Sequence, residues 1–354
     1  MKAIIRDTYG PIDGLVVREI DRPRIGDSDV LIKVRAAAVH IGDVFSVLGS
    51  PTLVRMATGL RRPRYGVPGF DVAGVVEEVG PGVTRFRPGD EVFGLTNGAT
   101  AEFARAAEDA VAPRPPGLSF EEAAAIPTSA GAALHGLRDA GKLKAGQRVL
   151  IIGASGGVGT FEIQIAKAMG AEVTVVASTR NVETLRAIGA DHVIDYTRED
   201  FATGGARFDL IVDNIENRSL ADVRRALAPN GTLVLNSGRG AGGIRGLARL
   251  VRPVLLSLFS RQTLRRYLSN PNADDLAVLA ALANEGKLRP VIDSAFPLAE
   301  TAAALRHVEQ GHPCGKVVIA VSGNPAGDQA ATSTPNLSMN GRRQRSVAST
   351  ALNV

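Results

Sequence analysis

VLIIGASGGVGTFEIQIAKAMGA, residues 149–171, is the stretch that decides the fold. Val149–Ile152 is a short aliphatic run of the kind that forms a strand buried on both faces. It runs into Ala154-Ser155-Gly156-Gly157-Val158-Gly159 and then into a helical stretch that ends near Gly170. The pattern is G-x-G-x-x-G with alanine in the first position. Gly156 lets the backbone approach a pyrophosphate, and Gly159 lets helix and strand pack closely. Free N–H groups and the positive end of the helix dipole then face the anion.

Outward from this unit, strands and helices alternate. AEVTVVAS (171–178) reads as a strand, VETLRAIG (182–189) as a helix, and DHVID (191–195) and FDLIVDNI (208–215) as strands. LADVRRALAPNG (220–231) reads as a helix ending at Gly231, followed by the strand TLVLNS. Apolar runs flanked by amphipathic helices at this spacing predict a parallel, doubly wound sheet. Upstream, SFEEAAAIP predicts a helix with Ser119 as N-cap and Glu122 as its capping-box partner. The first 120 residues read as a small all-β unit, with strands VLIKVRAAAV (30–39), DVAGVVEEVG (71–80) and RPGDEVFG (87–94). Residues 290–320 return to short strands, VIDSAFP and GKVVIAV, around the helix AETAAALRHVEQG. From Val321 the chain is polar and poor in large apolar residues, which predicts a disordered tail.

Two domains follow, suited to 354 residues and 45% hydrophobic content. One spans 1–124 and is completed by 290–320; the other spans 125–289, and the tail is 321–354. The net charge of +5 is local: seven arginines and no acid lie between Arg239 and Asn270, and the remainder sums to about −2. Arg55, Arg61, Arg62 and Arg64 form a second acid-free basic run. Local basicity, no Trp and 4% aromatic content argue against nucleic acid as a partner. No apolar run reaches the roughly 18 residues of a membrane span, and the N-terminus lacks the long apolar run of a signal peptide. The lone Cys314 excludes an intrachain disulfide and suits a reducing cytoplasm.

The end of the second strand selects the cofactor. Ser178-Thr179-Arg180-Asn181 has no carboxylate before Glu183 to bond a ribose 2′-OH. Ser178 and Arg180 can instead hold a 2′-phosphate, which points to NADPH. The plainer alternative makes Arg180 a solvated charge at a helix start.

These stretches, with PGFDVAGVVEEVG (68–80), RFRPGDEVFG (85–94), EEAAAIPTSAGAALHGL (121–137), LRAIGADHVIDY (185–196) and GKVVI (315–319), resemble the medium-chain dehydrogenase/reductase superfamily. The resemblance covers about residues 1–320 and is to the zinc-independent quinone oxidoreductase-like, or enoyl reductase-like, branch. It implies an α/β fold: a GroES-like β-rich catalytic domain plus a Rossmann doubly wound parallel-sheet domain. Thr128 matches a threonine near the nicotinamide, and Ser155, Gly156, Gly157 and Val158 match the pyrophosphate loop. Ser178, Arg180 and Tyr196 match places where relatives bind the 2′-phosphate. Asn214 and Ser237 sit at strand ends that usually line the nicotinamide side. Tyr196 is otherwise a packing residue, and Asn214 and Ser237 otherwise only complete turns. A homodimer, joined edge to edge through the nucleotide-binding sheets, is implied by resemblance alone.

Zinc-bearing relatives carry a Cys where this chain has His40, a Gly-His-Glu where it has Gly69-Phe70-Asp71, and a four-Cys loop. Phe70 cannot ligate, one cysteine cannot build the structural site, and the five histidines show no ligand spacing, so no metal is expected. Without zinc to polarise a carbonyl, the natural acceptor is one already activated by conjugation, an enone or a quinone. The enolate formed needs hydrogen-bond donors and a proton. His40, Asp43 as its orienting partner, and Tyr65 are the candidates, and His40 is alternatively only a hydrogen-bonded wall residue. Two other functions stay open: a zinc-independent alcohol dehydrogenase or aldehyde reductase, and a non-catalytic NADPH-binding sensor. In the Arg-rich segment, Arg245, Arg249 and Arg252 share a helical face. That segment is read as a lid over the cleft, a subunit contact, or, over 241–262, a surface for anionic lipid.

Overall fold

The chain opens with an antiparallel pair, β1 (Lys2–Ile5) and β2 (Val16–Glu19). The long β3 (Asp29–Val39) follows, then two helices, α1 (Ile41–Leu48) and α2 (Val54–Thr58). These belong to a computed structural model that describes residues 1–52, 54–236, 253, 255–257, 259–311 and 313–321. The all-β expectation for the first 120 residues is corrected by α1. His40 and Asp43 close a capping box at its start, and Gly49 ends it at φ 60. A left-handed residue costs glycine nothing, so both ends of α1 are written in the sequence. The start is the harder end to read, because histidine is an unusual residue to open a capping box.

Strands β4 (Asp71–Val79), β5 (Glu91–Leu95), β6 (Phe103–Ala107) and β7 (Val111–Pro113) complete this half. Helix α3 (Phe120–Ala124) carries the predicted Ser119–Glu122 capping box, and α4 (Pro127–Leu134) starts on proline, whose missing N–H costs nothing there. Next come β8 (Arg148–Ile152), α5 (Gly159–Ala168), β9 (Glu172–Ala177), α6 (Val182–Ala187), β10 (His192–Asp195) and β11 (Phe208–Asp213). Helix α7 (Leu220–Ala226) stops five residues before the expected Gly231. Leu227 is already extended at ψ 141 and opens β12 (Leu227–Leu235). Pro229, lacking an N–H, drives Ala228 out of the helical region. The chain closes with β13 (Thr263–Arg266), α8 (Ala273–Asn284), β14 (Ile292–Pro297), α9 (Thr301–Glu309) and β15 (Lys316–Ala320).

Two sheets organise these elements. The six-stranded sheet has the order β10-β9-β8-β11-β12-β13 and every pair is parallel. Its central strand β8 is buried on both faces: Val149 and Ile151 join one apolar cluster, and Leu150 and Ile152 join another on the opposite side. The seven-stranded sheet runs β14-β15-β3-β4-β5-β7, with β6 also pairing β3. Strands β14 and β15 reach it from the far end of the chain, and β15 pairs β3 antiparallel. One cluster spans both sheets through α3 and α4, where Ala73 and Phe93 share a core with Ile126, Ala130, Ile151 and Phe161. Among the described residues no helix is long and apolar enough to cross a membrane. Residues 237–252, most of the Arg-rich segment, and the expected tail from Ser322 lie outside the described residues.

Candidate functional site

In the parallel sheet the strand order reverses between β8 and β11. Loops leaving the carboxyl ends of such a pair diverge and leave a crevice, the usual ligand site of open α/β sheets. A cleft of about 220 Å³ lies there, lined by Gly153, Gly156, Gly157, Asn214 and Asn236 on one side and by His40, Ser129 and Lys316 on the other. The residues needed to hold a dinucleotide are present. Gly156 has no atom but the Gly153 carbonyl within 4 Å of where a side chain would start, so the backbone is bare to the cleft. Among the described residues, no acceptor takes the N–H groups of Gly157, Val158 or Gly159 at the start of α5. Such free donors at a helix N-terminus suit a pyrophosphate. At Gly159 an added carbon would lie 2.6 Å from both Ala154 Cα and the Gly153 carbonyl, the close helix-strand approach expected of it.

Two members of the loop differ from the sequence reading. Ala154 is fully buried and does not face the cleft. Ser155 is absent from the cleft lining, and its carbonyl accepts from Gly315 N–H at 2.9 Å. The residue that turns the chain is Gly153, at φ 80, where an added carbon would strike Ile215 and Asn214. Placing the motif one position late hides it, although a glycine ending a buried strand is the available signal.

At the end of β9, Ser178 opens a short 3-10 turn and Arg180 is exposed within it. Tyr196 is 62% exposed, so it is not the packing residue of the alternative reading. Sequence reasoning missed Asp195, which the parallel pairing of β10 with β9 brings alongside. Its carboxylate accepts from the Thr179 hydroxyl at 2.5 Å and from the Thr197 N–H and hydroxyl, which hold its pKa below the usual carboxylate range. Ser237, expected on the nicotinamide side, lies outside the described residues, while its neighbour Asn236 lines the cleft.

The opposite wall is built from three distant segments. Asp71 opens β4, Thr128 and Ser129 stand in the first turn of α4, and Lys316 opens β15. Asp71 Oδ1 accepts from the Thr128 N–H at 2.9 Å and its hydroxyl at 2.5 Å. Lys316 Nζ lies 3.3 Å from Asp71 Oδ2 and donates to Ser129 Oγ at 2.9 Å. The ion pair is buried, with side-chain exposures of 2% and 0%. No local pattern in GKVVI or GFDVAG announces it, because the partners are 245 residues apart.

His40 is a wall residue and a helix cap. Its Nδ1 accepts from Gly42 N–H at 2.9 Å, its Nε2 lies 3.4 Å from Asp43 Oδ2, and its ring stacks on Phe70 at 5.9 Å between centroids. Asp43 accepts from the His40 backbone N–H at 2.8 Å and is buried, which pushes its pKa up against the pull of His40. Tyr65 is not brought to this cleft: it lines a separate hollow with Met1, Asp21, Arg24 and Phe103. A larger cavity of about 620 Å³ shares His40 with the cleft and is lined by Phe70, Thr96, Asn97, Thr128 and Asn270.

Residues 26–135 match the family described as alcohol dehydrogenase GroES-like domain, and residues 188–319 the family described as zinc-binding dehydrogenase. The chain is 34% identical over 334 residues to 2-methylene-furan-3-one reductase of Solanum lycopersicum, covering 90% of this chain and 79% of that protein. It is also 34% identical over 331 residues to the spectinabilin polyketide synthase system protein NorB of Streptomyces orinoci. That match takes in 91% of this chain but only 14% of the much longer relative. The solved quinone oxidoreductase from Coxiella burnetii superposes with a TM-score of 0.79 at 31% identity, covering 91% of this chain and 99% of the other.

Proposed function

The chain belongs to the medium-chain dehydrogenase/reductase superfamily, on its quinone oxidoreductase-like branch, and within that family of NAD(P)H-dependent oxidoreductases we propose an NADPH-dependent, zinc-independent reductase of small conjugated carbonyls. The observation that carries this reading is the single cleft in which the bare glycine backbone faces Ser129, Lys316 and His40. Bound there, NADPH supplies a hydride from its nicotinamide ring. The likeness to a 2-methylene-furan-3-one reductase supports an enone as acceptor, and the likeness to a quinone oxidoreductase supports a quinone.

Ser129 accepts from Lys316 Nζ, which leaves its own hydroxyl proton free to be donated toward the oxygen of an acceptor in the cleft. A donor of this kind, aimed at charge that develops only during reaction, lowers the barrier. The nearby Lys316 ammonium makes that proton more acidic. His40 serves as wall, since Nδ1 is spent on the helix start and Nε2 faces Asp43. A zinc-independent reaction is supported by the donor set: Asp71 is already bonded to Lys316 and Thr128, and Phe70 offers no ligand atom. Ser178 and Arg180 would take the 2′-phosphate, with Asp195 kept out of competition by its threonine bonds. The homodimer implied by family resemblance would join edge strands such as β13 of the six-stranded sheet.

The test is NADPH oxidation followed at 340 nm with enones, quinones and saturated aldehydes, each repeated with NADH. Turnover of the conjugated acceptors, faster with NADPH, is the expected result. Turnover confined to saturated aldehydes would replace the enone reading with an aldehyde reductase. Binding of NADPH without any turnover would leave a sensor.

A further inference from the structure

Behind the cofactor wall lies a buried acid that the reaction above does not use. Glu162 sits in the first turn of α5 and is 0% exposed. Its Oε2 accepts from Asn214 Nδ2 at 2.7 Å, while Oε1 is buried without a hydrogen-bond partner. Asn214 Oδ1 accepts in turn from Asn236 Nδ2 at 2.8 Å, and both asparagines line the cleft. The carboxyl is thus one side chain removed from the crevice where the strand order reverses.

Its surroundings offer no compensation. Among the described residues no cation pairs with Glu162, and the titratable groups acting on it are Asp213 from the end of β11 and the Tyr267 phenol beyond β13. Tyr267 spends its hydroxyl proton on the Ala132 carbonyl at 2.6 Å. Burial drives the Glu162 pKa up to about 8, against the Asn214 hydrogen bond and with help from Asp213.

We propose that Glu162 sets the redox preference of the cofactor cleft: ionised behind Asn214, it favours the positively charged oxidised nicotinamide over the neutral reduced ring. The two forms of the cofactor share the same phosphates, so a charge behind Asn214 distinguishes them only by the ring. A protonated Glu162 treats the forms alike, and an ionised one attracts the oxidised form alone. The inference rests on the cofactor reading above and adds a residue that acts through Asn214 rather than by contact.

The experiment is calorimetric titration of the full chain with NADP⁺ and with NADPH from pH 6.5 to 9.5. The ratio of the two dissociation constants, oxidised over reduced, should fall about eightfold across this range, the span expected if the oxidised ring weakens proton binding about tenfold. Groups that act on the shared phosphates cancel in this ratio. Glu162→Gln keeps an acceptor for Asn214 and removes the charge, so its ratio should not change with pH. A flat ratio in the unaltered protein would overturn the inference, as would a Glu162→Gln variant that keeps the slope. The unaltered protein decides the matter even where the variant does not fold. If neither nucleotide binds, the cofactor reading itself falls, and this inference with it.

Discussion

The two walls of the cleft each bury a carboxyl group, and they keep it in opposite ways. On the side of the seven-stranded sheet, Asp71 meets Lys316 Nζ at 3.3 Å and two donors from Thr128. On the side of the parallel sheet, Glu162 meets one amide N–H from Asn214 and, among the described residues, no cation. A buried charge survives only when paired and hydrogen-bonded; otherwise the group takes up a proton instead. Asp71 therefore joins the two halves as part of a fixed ion pair, whereas Glu162 can gain or lose its proton close to neutrality. One wall is built for permanence and the other for titration.

The harshest way to break this contrast is to make the first wall resemble the second. Lys316→Met should leave Asp71 buried without its cation and cost about 3–5 kcal/mol, read as a fall in thermal midpoint. Asp71→Asn combined with Lys316→Met should recover much of the loss, because no unpaired charge remains. Equal damage in the double variant would mean that shape, not charge, holds the knot.

The second wall can be made indifferent to pH. Glu162 binds its proton more tightly folded than unfolded, so its stabilising contribution is complete below about pH 4.5 and fades as pH rises through about 8. Glu162→Gln should therefore gain on the parent as pH rises. By pH 8.5 the gap should be about 4–5 kcal/mol, shrinking to about 1 kcal/mol or less near pH 5. A gap of the same size at both pH values would show that the carboxyl does not titrate there.

The smallest effect is expected at His40, which borders both the cleft and the larger cavity beside it. Its side chain caps α1, so His40→Ala should cost about 1 kcal/mol. Turnover per folded molecule should stay within about twofold, since neither ring nitrogen is turned to the cleft. A hundredfold loss of turnover with an unchanged melting point would restore His40 as the proton donor.

The same contrast explains what can be read from the sequence. The parallel-sheet wall is legible because its parts are contiguous: Val149 to Ala171 contains strand, turn, helix start and close-packing glycine in order. Even the first glycine of the motif is misplaced by a single residue only, Ala154 for Gly153. The opposite wall is not legible, because Asp71, Ser129 and Lys316 come together only through the pairing of β15 with β3 and the docking of α4 on β4. Asp195 escapes for the same reason, as its place beside Thr179 depends on a neighbouring strand. Tyr65 is suggested by its basic loop, and that loop leads to a different hollow. The early end of α7 is readable from Pro229, a stronger stop signal than the glycine that follows it.

The pairing of β15 with β3 also imposes an order of events on biosynthesis. Ala36–Val39 finds its partner Val317–Ala320 only after roughly 280 more residues have been added. At ribosomal rates of about 5–20 residues per second, that edge waits on the order of tens of seconds for the strand that covers it. During this interval an alanine- and valine-rich edge is open to any passing strand. The nascent chain is thus open to aggregation at this edge until β15 emerges, and truncation just short of Lys316 would make that exposure permanent.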